Sequence, residues 1–238
     1  MIELKNIEKS FGKYQVLKDI SLNIEPGKIT AIVGPNGSGK TTIIKSILGL
    51  VKPDKGEILI NNKSVIKEHL YRKDIGYMPQ VASFPDNLTV TEVFNMISDL
   101  RKQSVNGNAN LINILQLESE MNKKIKTLSG GNKQKVSACI ALMFDPKIII
   151  LDEPTAGLDP VASANLKKKI IEQRDAGKTI ILTSHIMTEI EELSDNILFL
   201  IEGKIVFDGT LKNLVELSGQ AKLENAIAAM MDKDFKWN

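Results

Sequence analysis

The stretch KITAIVGPNGSGKTT, Lys28 to Thr42, decides the fold. Its first part, KITAIV, is a compact apolar run of the kind that forms a strand buried on both faces. The rest, GPNGSGKTT, satisfies G-x-x-x-x-G-K-[ST] directly after that strand and directly before a helical pattern. Glycines let backbone N–H groups turn inward around phosphates, the lysine adds a mobile positive charge, and the hydroxyl after it can meet Mg²⁺. Gly34-Pro35-Asn36-Gly37-Ser38-Gly39-Lys40-Thr41-Thr42 is therefore expected to bind the phosphates of a nucleotide, with Lys40 acting on them and Thr41 also a metal ligand.

Working outward, Ile2 to Phe11 and Gln15 to Ile24 read as strands, the second closing in the turn Glu25-Pro26-Gly27. A helix is expected from Lys40 to Leu50, stopped by the Lys52–Gly56 turn, and Glu57–Ile60 and Ile75–Met78 are further strands. From Phe84 to Asp145 strand-like runs vanish, and Val90–Arg101 and Ala109–Leu117 show helical spacing. The α/β alternation then returns with Ile148–Asp152, a helix from about Val161 to Asp175, Thr179–Thr183, and a helix from Met187 to Leu193. Such alternation implies parallel strands with right-handed crossovers. Asn196–Ile201 and Lys204–Asp208, joined at Glu202-Gly203, read as a closing hairpin, and Leu211 to Asn238 as a helical tail.

Two more stretches carry chemistry. Ile148–Leu151 delivers Asp152 and Glu153 to the C-terminal end of a strand, where α/β folds place their chemistry. Side chains alternate along an extended chain, so Asp152 is expected to serve Mg²⁺ while Glu153 faces a water as general base. The second stretch is LSGGNKQKV, Leu128 to Val136, which reads as a helix start with a serine and two glycines at its mouth. A helix start presents free N–H groups and partial positive charge, so Ser129, Gly130 and Gly131 form a second anion site.

Composition narrows the class. The 238 residues suit one large domain, and 42% apolar with 25% charged residues is ordinary for a globular protein. With 31 Lys and Arg against 29 acids the net charge is +2, which gives no footprint for nucleic acid. Cys139 is the single cysteine and sits in the apolar run SACIALMF, so an internal disulfide is excluded and an inert core thiol is expected in a reducing cytosol. The N-terminus lacks the apolar core of a signal peptide, and no window reaches ~18 uninterrupted apolar residues, so no segment is expected to insert into a membrane. His69, Trp237 and the run Lys167-Lys168-Lys169 receive no functional role.

GPNGSGKTT, LSGGN, IIIILDEP and a histidine after a later strand, taken in order, resemble the ATP-binding cassette superfamily over essentially the whole chain. The resemblance implies an α/β fold: a P-loop NTPase core with an antiparallel β subdomain and an inserted α-helical subdomain. The core would cover about 1–83 and 146–217, the helical part 84–145, and a short tail 218–238. It implies ATP and Mg²⁺ as ligands and hydrolysis as the activity. It also implies that Gln80 in GYMPQ reports on Mg²⁺ and the attacking water, that Asp159 in AGLDP contacts the opposite subunit, and that His185 in LTSH senses the γ-phosphate. Phe11 would stack on adenine, with Tyr14 as a rival. In this family two subunits pair head to tail, so the LSGG helix start serves the partner's ATP and the second anion site finds its use. Asn132 departs from the family's usual glutamine, which shortens the reach of that amide.

The resemblance further implies a partner. A single cassette is expected to work as a homodimer on the cytoplasmic face of a membrane, peripheral to separate transmembrane permease subunits. VASFPDNLTVTEVF, after Gln80, resembles the surface the family uses to grip them. AGLDP and the short tail resemble the exporter type that works with ABC-2 permeases, rather than sugar importers with an added regulatory domain. FPDNLTV resembles the ATPase of nitrous oxide reductase maturation, which is linked to copper sites. The alternative is a soluble cassette ATPase on an iron–sulfur assembly scaffold. Branches with two cassettes in one chain, or with a long coiled coil between the two anion sites, do not match.

Overall fold

The computed structural model describes residues 1–66, 68–103, 108–220 and 223–231, so Trp237 and the end of the tail lie outside the described residues. The chain divides into two compact units, one of Met1–Tyr71 with Ile181–Asn238 and one of Arg72–Ile180.

The first unit opens with β1 (Ile2–Phe11) and β2 (Tyr14–Ile24), an antiparallel pair in which Phe11 faces Tyr14 across the turn. β3 (Ile29–Val33) follows and is buried at every residue, as its unbroken apolar run requires. α1 (Lys40–Ile47) begins at the glycine-rich loop. It stops three residues short of the expected Leu50, because Gly49 takes a left-handed φ of 67° and turns the chain. β4 (Lys55–Ile60) pairs antiparallel with β1, and the short β5 (Lys63–Ser64), which carries no apolar signal, pairs with β4. These four strands form one antiparallel sheet in the order β2-β1-β4-β5.

The second unit holds β6 (Ile75–Met78), then α2 (Val90–Arg101), α3 (Asn108–Ile114) and α4 (Gly130–Leu142), then β7 (Ile148–Asp152) and α5 (Pro160–Asp175). β6 and β7 pair in parallel, Ile75 opposite Ile148 and Met78 opposite Leu151. The helix starts are written in the sequence. Thr89 and Glu92 make a reciprocal capping box on α2, with bonds of 3.2 and 2.7 Å, and Asp159 caps α5 ahead of Pro160. Gly76 lets α4 lie on β6: a Cβ there would overlap the Ala141 carbonyl oxygen.

β8 (Thr179–Thr183) carries the chain back to the first unit. There α6 (Met187–Leu193) leads into β9 (Asn196–Ile201) and β10 (Lys204–Gly209). β9 runs parallel to β3 and antiparallel to β10, which bears out the closing hairpin. The tail is not one helix. α7 (Leu211–Ser218) ends at Gly219, φ 65°, and α8 (Leu223–Met231) follows, because a left-handed glycine turns the chain out of its helix.

Candidate functional site

The phosphate loop lies between β3 and α1 in the first unit. Gly34 and Gly39 have φ of 152° and 112°, and neither tolerates a side chain. A Cβ on Gly34 would overlap the Leu200 carbonyl, and one on Gly39 would come within 2.8 Å of the Leu17 side chain. Gly37, φ 79°, has nothing within 4 Å of that position, so the loop is braced on one side and open on the other. Gly203 in the β9–β10 turn donates its N–H to the Ser38 carbonyl at 3.0 Å and so fixes the brace. The Lys40 ammonium folds back on the Gly34 and Pro35 carbonyls at 2.7 and 3.0 Å, and no side chain caps the start of α1. The buried Ser38 hydroxyl has no hydrogen-bond partner. Open backbone N–H groups, an orphaned hydroxyl and a lysine holding loop carbonyls fit a phosphate chain.

Asp152 and Glu153 lie in the second unit. Asp152 is buried at the end of β7, and Tyr77 on neighbouring β6 has its hydroxyl pushed up to about 12 by burial, with the Asp152 charge adding to it. The alternation expected of an extended chain stops at Asp152, the last residue of β7. Glu153 has already left the strand, with a left-handed φ of 52°. For a side chain with a Cβ this costs about 1–3 kcal/mol, and such strain clusters where function needs it. The Glu153 carbonyl accepts from Ala156 N–H at 3.2 Å and from the Gln134 amide at 3.3 Å, which hold the turn.

That second bond ties the acids to the LSGG segment. Ser129 caps α4, its hydroxyl accepting from Asn132 N–H at 3.2 Å, and its proton remains available to an incoming oxygen. Ser129 and Gly130 are exposed, with nothing within 4 Å of a Cβ on Gly130. A Cβ on Gly131 would come within 2.7 Å of the Gly157 carbonyl oxygen. One turn on, the buried Lys135 ammonium pairs with Asp159 at 3.1 Å. The Ala162 N–H first, and Lys135 with it, holds the Asp159 carboxyl below its usual range. The structure thus brings Ser129–Gly131, Glu153 and Asp159 together in one unit through Gln134, Lys135 and Gly157, none of which the sequence reading singled out. The Glu120 carboxyl is held below its usual range, first by Lys123, which pairs with it at 2.7 Å, and least by the Asn132 side chain.

The other expected residues lie at or just beyond strand ends. Gln80 is exposed just after β6, and His185 is exposed just after β8. Phe11 is half exposed at the end of β1 with the Lys9 ammonium 5.4 Å from its ring centre, and Tyr14 is more exposed still. Cys139 is fully buried on α4, and burial pushes its thiol up to about 12. A thiol reagent at pH 8 should therefore leave native protein unlabelled and modify it only after denaturation. Rapid stoichiometric labelling of the native chain would contradict its place in the core. Among the described residues there is no group of three or more His, Cys, Asp or Glu side chains that could hold a metal ion.

A phosphate loop opening a helix after a buried parallel strand, with a strand-end acid pair in the same chain, defines a nucleotide-binding α/β ATPase. Comparison with known proteins is more specific. The family model of ABC transporters matches residues 17–156. The lantibiotic transport ATP-binding protein SrtF of Streptococcus pyogenes is 35% identical over 221 residues, 91% of this chain and 95% of that protein. The Nod factor export ATP-binding protein I of Rhizobium etli is 34% identical over 220 residues, 90% of this chain and 70% of that one. Among solved structures, the ATP-binding subunit of an ABC transporter superposes with a TM-score of 0.91 at 29% identity, covering 98% of this chain and all of that one. The dimeric cassette MJ0796 gives 0.80 at 28%, covering 89% and 99%. The chain belongs to the ABC transporter family, as one of its ATP-binding cassettes. Among the described residues no helix is long and apolar enough to cross a membrane.

Proposed function

We propose that this chain is the ATP-hydrolysing subunit of an exporter, working as a head-to-tail homodimer on the cytoplasmic face of a membrane beneath separate permease subunits. The observation that carries the reading is the exposed, uncrowded start of α4 at Ser129 and Gly130, a second phosphate-binding helix start in a chain that already has one. Relatives that align over nine-tenths of the chain, named for lantibiotic transport and Nod factor export, support the transport role and favour it over an assembly scaffold. The dimeric MJ0796 cassette, and its post-hydrolysis state with ADP and Pi, support the pairing and the reaction.

In this reading the phosphate loop binds ATP. Its N–H groups and Lys40 carry the β- and γ-phosphates, and Phe11 stacks on the base. Thr41 and Asp152 would be the protein ligands of Mg²⁺, with Gln80 reporting on it, and the ion would neutralise charge on the β- and γ-oxygens. Glu153 takes the proton of the attacking water, and His185 contacts the γ-phosphate. Ser129, Gly130 and Gly131 of one copy close on the γ-phosphate held by the other, and Asp159 meets the opposite copy. The γ-phosphate is the contact that hydrolysis removes, so ATP closes the dimer and its loss opens it.

The permease contact is assigned to the outer face of α2. Leu88, Glu92, Asn95, Met96, Asp99 and Leu100 line a groove of about 550 Å³, and Leu100 is 74% exposed at its edge. Tagged protein drawn from detergent-solubilised native membranes should bring down a multi-spanning chain in stoichiometric yield, and Leu100→Glu should lose it while keeping ATP hydrolysis. Recovery of soluble proteins alone, or full recovery by Leu100→Glu, would contradict the assignment.

A further inference from the structure

β8 runs into a segment in which buried and exposed residues alternate abruptly. Ser184 is 5% exposed, His185 and Ile186 are exposed, and Glu189 on α6 is only 6% exposed. The Ser184 hydroxyl donates to Glu189 Oε2 at 2.9 Å and accepts from Ile186 N–H at 3.0 Å. One hydroxyl therefore engages the residues on both sides of His185, and its proton is held by a carboxylate taken almost wholly out of water.

This is not how a helix of ordinary sequence is capped. α6 has Ile186 at its N-cap, and no side chain caps it from that position. Glu189 stands three residues further on, where a capping box would return the carboxylate to the N-cap N–H. Here it reaches past the N-cap to a hydroxyl two residues earlier. A capping serine or aspartate at 186 would satisfy the helix without burying a charge, and a buried carboxylate is costly unless hydrogen-bonded. What the longer reach adds is a fixed backbone from 184 to 186 around an imidazole that stays at the surface.

We infer that Glu189 is a positioning residue for His185, acting through Ser184 to present the imidazole to the γ-phosphate in one orientation. The inference rests on the proposed role of His185. Removing the carboxylate frees the Ser184 hydroxyl and lets the 184–186 turn relax, and a displacement of about 1 Å at a reacting group can cost up to about a hundredfold in rate.

The test is a double-mutant cycle on ATP turnover by the full chain, well below its melting temperature. Glu189→Ala should lower kcat by about ten- to a hundredfold with KM for ATP within about twofold of wild type. In a His185→Ala background the same change should alter kcat by less than about twofold, because its target is already gone. Glu189→Gln, whose amide oxygen accepts the same proton, should keep most of the wild-type rate. Should Glu189→Ala not fold, Ser184→Ala enters the same cycle with the same expectation. Equal losses in both backgrounds, an unchanged kcat for Glu189→Ala, or a Glu189→Gln as slow as the alanine variant would each overturn the inference. If His185→Ala alone turns over at the wild-type rate, the reading of the histidine fails first, and the inference falls with it.

Discussion

Glu153→Gln is expected to slow ATP hydrolysis by about 10²- to 10⁴-fold, the usual worth of a general base, while ATP binding stays within a few-fold of wild type. The change is nearly isosteric and removes the ability to take a proton from water. The carbonyl of this residue accepts from Ala156 N–H and the Gln134 amide, and the substitution leaves both of these bonds in place. The left-handed φ of 52° is equally available to glutamine. Phosphate release under single-turnover conditions, with nucleotide affinity measured alongside, separates the two effects. Turnover within a few-fold of wild type would move the base elsewhere.

Ser129→Arg is expected to abolish ATP-dependent dimerisation and, with it, steady-state hydrolysis, while the isolated chain still binds ATP. Ser129 is exposed and its neighbour Gly130 is open to solvent, so a guanidinium is accommodated in the monomer and blocks the place where a partner's γ-phosphate would sit. Loss of the serine cap costs about 0.5–2 kcal/mol, which α4 can bear. Its second turn stays fixed by the Gln134 bond to the Glu153 carbonyl and by the Lys135–Asp159 pair. Nucleotide affinity of the monomer reports on the phosphate loop and light scattering on the pairing, so the two are read independently. A variant that still dimerises with ATP would remove the purpose assigned to the second helix start.

The residues to which the chemistry is assigned have signals that are local in the sequence. A strand, a glycine loop and a helix follow one another between Ile29 and Ile47, and the loop's glycines occupy conformations or contacts that exclude a Cβ. The buried strands β3, β7 and β8 announced themselves as apolar runs, and Thr89 with Glu92 spelled out the start of α2. What the sequence did not show depends on contacts between distant residues or on single backbone angles. Glu153 reads as a strand residue until its φ is known. Gln134 and Lys135 read as a polar helix face, yet both are buried against the Glu153–Asp159 segment, about twenty residues on in sequence, which no pattern of period 3.6 can reveal. Ser184 and Glu189 look like surface residues for the same reason. β5 is two polar residues long and has no hydrophobic signal to read.

The most direct test of the account is the mass in solution of Glu153→Gln protein by size-exclusion chromatography with light scattering, in ATP and in ADP. Slowed hydrolysis keeps the γ-phosphate in place, so the account predicts a dimer with ATP and a monomer with ADP. A monomer in both, or a dimer indifferent to the γ-phosphate, would contradict it.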